Sequence, residues 1–123
     1  MISKQVPTIV GVWVKRIGDM SPSRMVELYR DNAILLATFE PILVGKESIH
    51  AYFVDFLDKK DMKCKILKNR TQSILPNHLI VSGIYVFSFT ENGIGKMVEA
   101  RYSFTIVDGK IANHHSSLVP VKD

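Results

Sequence analysis

The segment Asn113-His114-His115-Ser116-Ser117 sets two imidazoles and two hydroxyls side by side, between Lys110-Ile111-Ala112 and Leu118-Val119. Imidazole titrates near neutral pH, and a serine hydroxyl both donates and accepts hydrogen bonds. Such a cluster suits proton transfer or the holding of a small polar ligand. If the segment is a strand, His114 and Ser116 share one face while His115 and Ser117 share the other. Adjacent histidines on opposite faces do not ligate one metal ion without distortion. His50 and His78 are remote, Cys64 is the only cysteine, and no His-Glu-x-x-His spacing occurs, so neither a zinc site nor any other cofactor is expected. Ser116 and His114 read as a hydrogen-bonded pair, because no Gly-x-Ser-x-Gly elbow accompanies them. Cys64 sits among lysines that would lower a thiol pKa, but the sequence places no base beside it.

A second set lies on the run Lys96 to Val107. One face carries Met97, Glu99, Arg101, Ser103 and Thr105, and the other carries Val98, Ala100, Tyr102, Phe104 and Ile106. The apolar set makes a core face. Glu99 and Arg101 then share the polar face, either paired with each other in solvent or serving a ligand, with exposed pairing the simpler expectation.

The elements that must position these residues follow from periodicity. Ile9, Trp13 and Ile17 recur at helical spacing, predicting a helix over 8–19. Ser21-Pro22 is an N-cap followed by proline, and Met25, Leu28 and Tyr29 give a short second helix ending near Arg30-Asp31-Asn32. Ala33 to Phe39 suits a strand. Lys46 to Lys60, with Ile49, Tyr52, Phe53, Phe56 and Leu57, is the clearest helix. Beyond it the pattern turns strand-like over 63–75, 78–90, 96–107 and 110–118, with turns at Pro76-Asn77, Glu91-Asn92-Gly93 and Asp108-Gly109. Three helices followed by long antiparallel strands is an α+β pattern in which a curved sheet wraps the helices and encloses a pocket.

With 123 residues, the chain has the length of one domain, its core running from about residue 8 to 120, and leaves no room for a separate cofactor domain. A hydrophobic content of 46% excludes disorder. The lone cysteine suits a reducing, cytoplasmic setting. The run Ile9 to Val14 is too short to cross a membrane, and no membrane partner is expected. The formal charge is +4, with Lys59, Lys60, Lys63, Lys65, Lys68 and Arg70 crowded around Asp61. No aromatic residue interleaves these cations, so the strip reads as a solvated surface and no nucleic-acid partner is expected.

Several segments carry a family likeness. Leu28-Tyr29, Asp31 to Phe39, Tyr52-Phe53 and Gly83-Ile84-Tyr85-Val86-Phe87 resemble the nuclear-transport-factor-two-like (SnoaL-like) superfamily. Ala100-Arg101-Tyr102-Ser103-Phe104, Asp108-Gly109-Lys110 and His114-His115-Ser116-Ser117 are similar to bacterial relatives of the calcium/calmodulin-dependent protein kinase II association domain. That group includes the iota-class carbonic anhydrases, which share the His-His-Ser-Ser ending. The resemblance spans about residues 10–120. It implies a cone-shaped, cystatin-like α+β barrel with a deep pocket, and it turns Arg101 and Ser103 towards that pocket. Arg101 matches an arginine that binds small carboxylates in the kinase hub. Tyr85 stands where another such arginine would be, a departure from a full arginine-lined pocket. The iota-class contacts to bicarbonate fall on Thr38, Tyr52 and Ser116, with His114 close by.

The resemblance therefore implies a pocket for a small anion such as bicarbonate or a carboxylate. It also implies either hydration of carbon dioxide, with or without metal, or a non-catalytic binding and assembly module. A ketosteroid-isomerase-like proton shuttle would need a pocket carboxylate, for which Glu99 is the candidate. A homo-oligomer, a dimer or larger, is expected, with Val119 and Val121 available to a subunit interface.

Overall fold

A computed structural model describes residues 2–120 of the chain. In order, these form β1 (Ile2–Ser3), α1 (Thr8–Ile17), α2 (Pro22–Val26), β2 (Tyr29–Leu36), β3 (Leu43–Val44), α3 (Gly45–Phe56), β4 (Lys60–Leu75), β5 (His78–Glu91), β6 (Ile94–Val107) and β7 (Lys110–Leu118). The strands make one curved sheet in the order β1-β4-β5-β6-β7-β2-β3, and the helices fill its concave side. The architecture is the α+β arrangement expected of the sequence.

Local chemistry explains most boundaries. The Ser21 hydroxyl accepts the Arg24 N–H at 3.4 Å, and Pro22 opens the first turn of α2. Asn92-Gly93 and Asp108-Gly109 have φ of 54° and 76°, and of 50° and 78°, the paired positive values that a two-residue hairpin turn requires. Gly83 meets a different demand. A Cβ there would run into the Lys68 carbonyl oxygen and sit 2.7 Å from the Tyr102 hydroxyl, where β4 bulges between Ile66 and Lys68.

Several expectations are corrected. α2 ends at Val26, and Leu28-Tyr29 leave the helix because the Leu28 carbonyl accepts the Ile111 N–H at 2.9 Å and Tyr29 opens β2. The sheet is mixed, since β2 runs parallel to β7. One helix and four strands, rather than a hairpin, separate β2 from β7 in sequence, so no turn fixes their relative direction. The two-residue strands β1 and β3 escape any periodic pattern. Cys64 points inward while Lys63 and Lys65 point to solvent, and burial pushes its thiol up to about 12 rather than down. Val119 is half-buried, and Val121 lies outside the described residues.

Candidate functional site

The concave face of β7 is where the helices and the sheet converge. Alternation sends His114 and Ser116 inward and His115 and Ser117 outward, as their spacing predicts. Inward residues from five elements close a cavity of about 290 Å³: Trp13 from α1, Leu35 from β2, Tyr52 and Phe56 from α3, Tyr85 from β5, and His114 and Ser116 from β7. Thr38, just past β2, completes the polar lining.

A continuous hydrogen-bonded row forms the floor. The Trp13 Nε1–H donates to the Tyr29 hydroxyl at 3.0 Å, and that hydroxyl lies 2.8 Å from His114 Nδ1. His114 Nε2 lies 3.2 Å from the Tyr85 hydroxyl, which donates to Ser116 Oγ at 2.8 Å. The Thr38 hydroxyl donates to the Ser116 carbonyl at 3.2 Å, which anchors the turn beyond β2 to β7. Aromatic packing fixes the planes. His114 stacks on Phe104 with centroids 4.0 Å apart, and Trp13 stacks on Tyr85 at 5.5 Å.

Burial dominates the electrostatics. His114 is 2% exposed, and desolvation, helped by neighbouring His115, lowers its pKa from 6.5 to about 3. Burial also pushes the hydroxyls of Tyr29 and Tyr85 well above the usual phenol range. Tyr52 moves the same way, by burial and then by the nearby Glu40 carboxylate. At neutral pH the floor is therefore an uncharged row of phenols, imidazole and hydroxyl. Charges appear only at the mouth, where Glu40, Asp55 and Lys59 line the opening, and Lys59 pairs with Glu91 at 3.7 Å.

Five of the seven expected site residues, Thr38, Tyr52, Tyr85, His114 and Ser116, meet in this one cavity. Arg101 and Ser103 do not. They stand on the outer, convex face, where Arg101 is exposed and Ser103 Oγ lies 3.3 Å from Ser82 Oγ. The reason is strand parity: Ala100, Tyr102 and Phe104 take the inward positions of β6, which leaves Arg101 and Ser103 no route inside. Glu99 shares that outer face and is exposed. Neither Glu99 nor Arg101 takes part in an ion pair among the described residues. Nor do the described residues contain a cluster of three or more His, Cys, Asp or Glu placed to hold a metal ion.

Trp13 and Tyr29 carry no motif that marks them as site residues. The available signal is chemical: a buried tryptophan or tyrosine needs a partner for its polar atom, and Trp13 falls on the buried stripe of α1 with Val10 and Ile17.

The fold, a sheet curled around helices with a cavity at its concave centre, is that of nuclear-transport-factor-two-like, cystatin-like proteins. Among solved structures, the chain is similar to a protein from Xanthomonas campestris assigned as a calcium/calmodulin-dependent protein kinase II association domain. The two share 28% identity over 98% of this chain and 96% of that one, with a TM-score of 0.86. A ketosteroid isomerase-like protein from Erwinia carotovora matches at TM-score 0.77 and 13% identity, over 92% of each chain. A nuclear-transport-factor-two-like protein with a cystatin-like fold from Novosphingobium aromaticivorans matches at 0.76 and 8%, over 93% of this chain and 79% of that one. No family model and no curated protein matches the chain. No helix among the described residues is long and apolar enough to cross a membrane.

Proposed function

We propose that the chain is a small-molecule pocket protein whose ligand lies on the hydroxyl floor of the cavity, against Tyr85 and Ser116. The observation that carries this reading is the convergence of Thr38, Tyr52, Tyr85, His114 and Ser116, from separate elements, on one concave space of about 290 Å³. Apolar walls from Leu35, Phe53, Phe56 and Phe87 would hold the body of the ligand, and the floor would orient its polar end. Titrating a panel of small carbonyl and carboxylate compounds against Trp13 fluorescence tests this directly. No saturable change with any of them sinks it.

A finer reading, reversible hydration of carbon dioxide, is favoured by one observation. All four positions matched to the iota-class anhydrases, Thr38, Tyr52, His114 and Ser116, line the same cavity. Water oxygen would bond to the carbon of carbon dioxide, and one proton would leave for solvent as bicarbonate forms. Tyr52 and Ser116 would orient the water and product. His114, with both ring nitrogens engaged and a pKa near 3, would hold the hydroxyls in place rather than carry the proton at neutral pH. Stopped-flow hydration, with and without chelator, tests this reading. A rate no greater than buffer at micromolar protein removes it, and activity that survives both Ser116→Ala and Thr38→Ala removes the assigned site.

As an assembly, the chain pairs with a second copy through its outer sheet face, where the apolar side chain of Met97 stands exposed on the same side of β6 as Glu99. Light scattering that finds a monomer at high concentration excludes this. The setting is a reducing one, in keeping with the single Cys64.

A further inference from the structure

The row of hydrogen bonds beneath the cavity has a direction, and that direction selects the ligand. A neutral imidazole has one N–H and one lone pair, and each phenol has a single proton. The Trp13 indole can only donate, so the Tyr29 oxygen accepts from it and the Tyr29 proton has His114 Nδ1 as its acceptor. His114 then carries its own proton on Nε2 and gives it to the Tyr85 oxygen. Tyr85 passes its proton to Ser116 Oγ. In this order every donor in the row has an acceptor, and the proton left over is that of the Ser116 hydroxyl, at the cavity wall. The opposite order, from Ser116 through Tyr85 and His114 to Tyr29, leaves the Tyr29 proton between two donors in a residue that is 0% exposed. An unpaired buried hydroxyl disfavours that order by about fivefold to a hundredfold.

We propose that Tyr29, backed by Trp13, fixes this direction so that Ser116 offers its proton to the cavity, and that the ligand is a small uncharged molecule with a carbonyl acceptor on an apolar body. The ligand class rests on the small-molecule reading above. Charge narrows it. The inner surface presents no cation: Arg101 is on the far side of the sheet, and Lys59 at the mouth is paired with Glu91 and shares the opening with Glu40 and Asp55. Neutral hydroxyls such as those of Ser116 and Tyr52 do not compensate a carboxylate for its lost hydration, whereas one of them does satisfy a ketone or aldehyde oxygen. Tyr29 and Trp13 act as positioning residues, because they reach the ligand only through His114, Tyr85 and Ser116.

The test has two independent arms on the full chain. In the first, nitrogen-15 NMR of the imidazoles at neutral pH reads the His114 tautomer. The expected result is a proton on Nε2 and a bare Nδ1, with the Nδ1–H form becoming populated in Tyr29→Phe. A wild-type protein with the proton on Nδ1, or with both nitrogens protonated, overturns the direction, as does a Tyr29→Phe variant that keeps the pure Nε2–H form. In the second arm, Trp13 fluorescence compares cyclohexanone, its isostere methylenecyclohexane, and cyclohexanecarboxylate. The ketone-to-alkene affinity ratio should fall about fivefold in Ser116→Ala and be retained in Ser116→Thr, and the carboxylate should bind more weakly than the ketone. An unchanged ratio in Ser116→Ala, or a carboxylate that binds as well as the ketone, overturns the ligand class while leaving the pocket reading intact. Failure of all three probes to bind removes the pocket reading and the ligand class with it, leaving the tautomer result to stand or fall by itself.

Discussion

His114 and His115 are neighbours on one strand and share neither environment nor use. His114 is walled in by Trp13, Phe104 and Tyr85 with both ring nitrogens engaged, whereas His115 faces solvent from the convex side, beside Ser103. The same division runs along β6, where Tyr102 reaches the Asn69 side chain at 2.6 Å inside the fold while Arg101 is exposed outside it. Residue type is therefore a poor guide to the chemistry of this sheet, and strand parity is a good one. A polar side chain facing inward is held, desolvated and stripped of charge; one facing outward keeps its water.

Breaking the inner row should show the contrast most strongly. His114→Leu leaves the buried hydroxyls of Tyr29 and Tyr85 without their shared partner and should cost about 4 kcal/mol in urea denaturation, whereas His115→Leu should stay within about 0.5 kcal/mol. Equal losses at the two positions would dissolve the distinction. Gly83→Ala tests the inner face in another place, since its methyl would run into the Lys68 carbonyl oxygen and the Tyr102 hydroxyl. A loss of about 3 kcal/mol is expected, against little change for Ser82→Ala on the outer side of the same strand.

Acid should separate the faces further. His114 titrates near 6.5 when unfolded and at about 3 when folded, so between those values the unfolded chain binds the extra proton. Its contribution is complete above about pH 6.5 and declines as the pH falls towards 3, with a slope of up to about 1.4 kcal/mol per pH unit. From pH 7.5 to 5 this amounts to about 2 kcal/mol, and denaturation curves over that range should lose this component in His114→Leu. A slope identical to wild type in the variant would assign the acid sensitivity elsewhere. The smallest effect belongs to Arg101→Ala, which should change stability by less than about 0.5 kcal/mol and leave binding in the cavity untouched. A marked loss of ligand affinity there would reopen the arginine-lined reading.

Much of this contrast is legible in the sequence. Period-two alternation pairs His114 with Ser116 and puts Arg101 on the face opposite Tyr102, and the hairpin turns follow from Asn92-Gly93 and Asp108-Gly109. Family likeness moves Arg101 and Ser103 inside, and the local pattern is the better guide, because the inward positions of β6 are already filled by Ala100, Tyr102 and Phe104. The end of α2, the two-residue strands and the parallel pairing of β2 with β7 have no local signal, since each depends on contacts far away in sequence. The partnership of Trp13 and Tyr29 with His114 is hidden for the same reason.

The parallel seam between β2 and β7 also bears on how the molecule comes into being. Tyr29 and His114 are 85 positions apart, so at ordinary rates of synthesis roughly 4–17 s pass between the making of one and the other. Through that interval α1 and β2 have no seventh strand to lie against, and the Tyr29 hydroxyl has no imidazole to receive its proton. The early half of the nascent chain must wait with its apolar surface open, a natural target for chaperones, until the final strand slides between β6 and β2 and sets the whole row at one stroke.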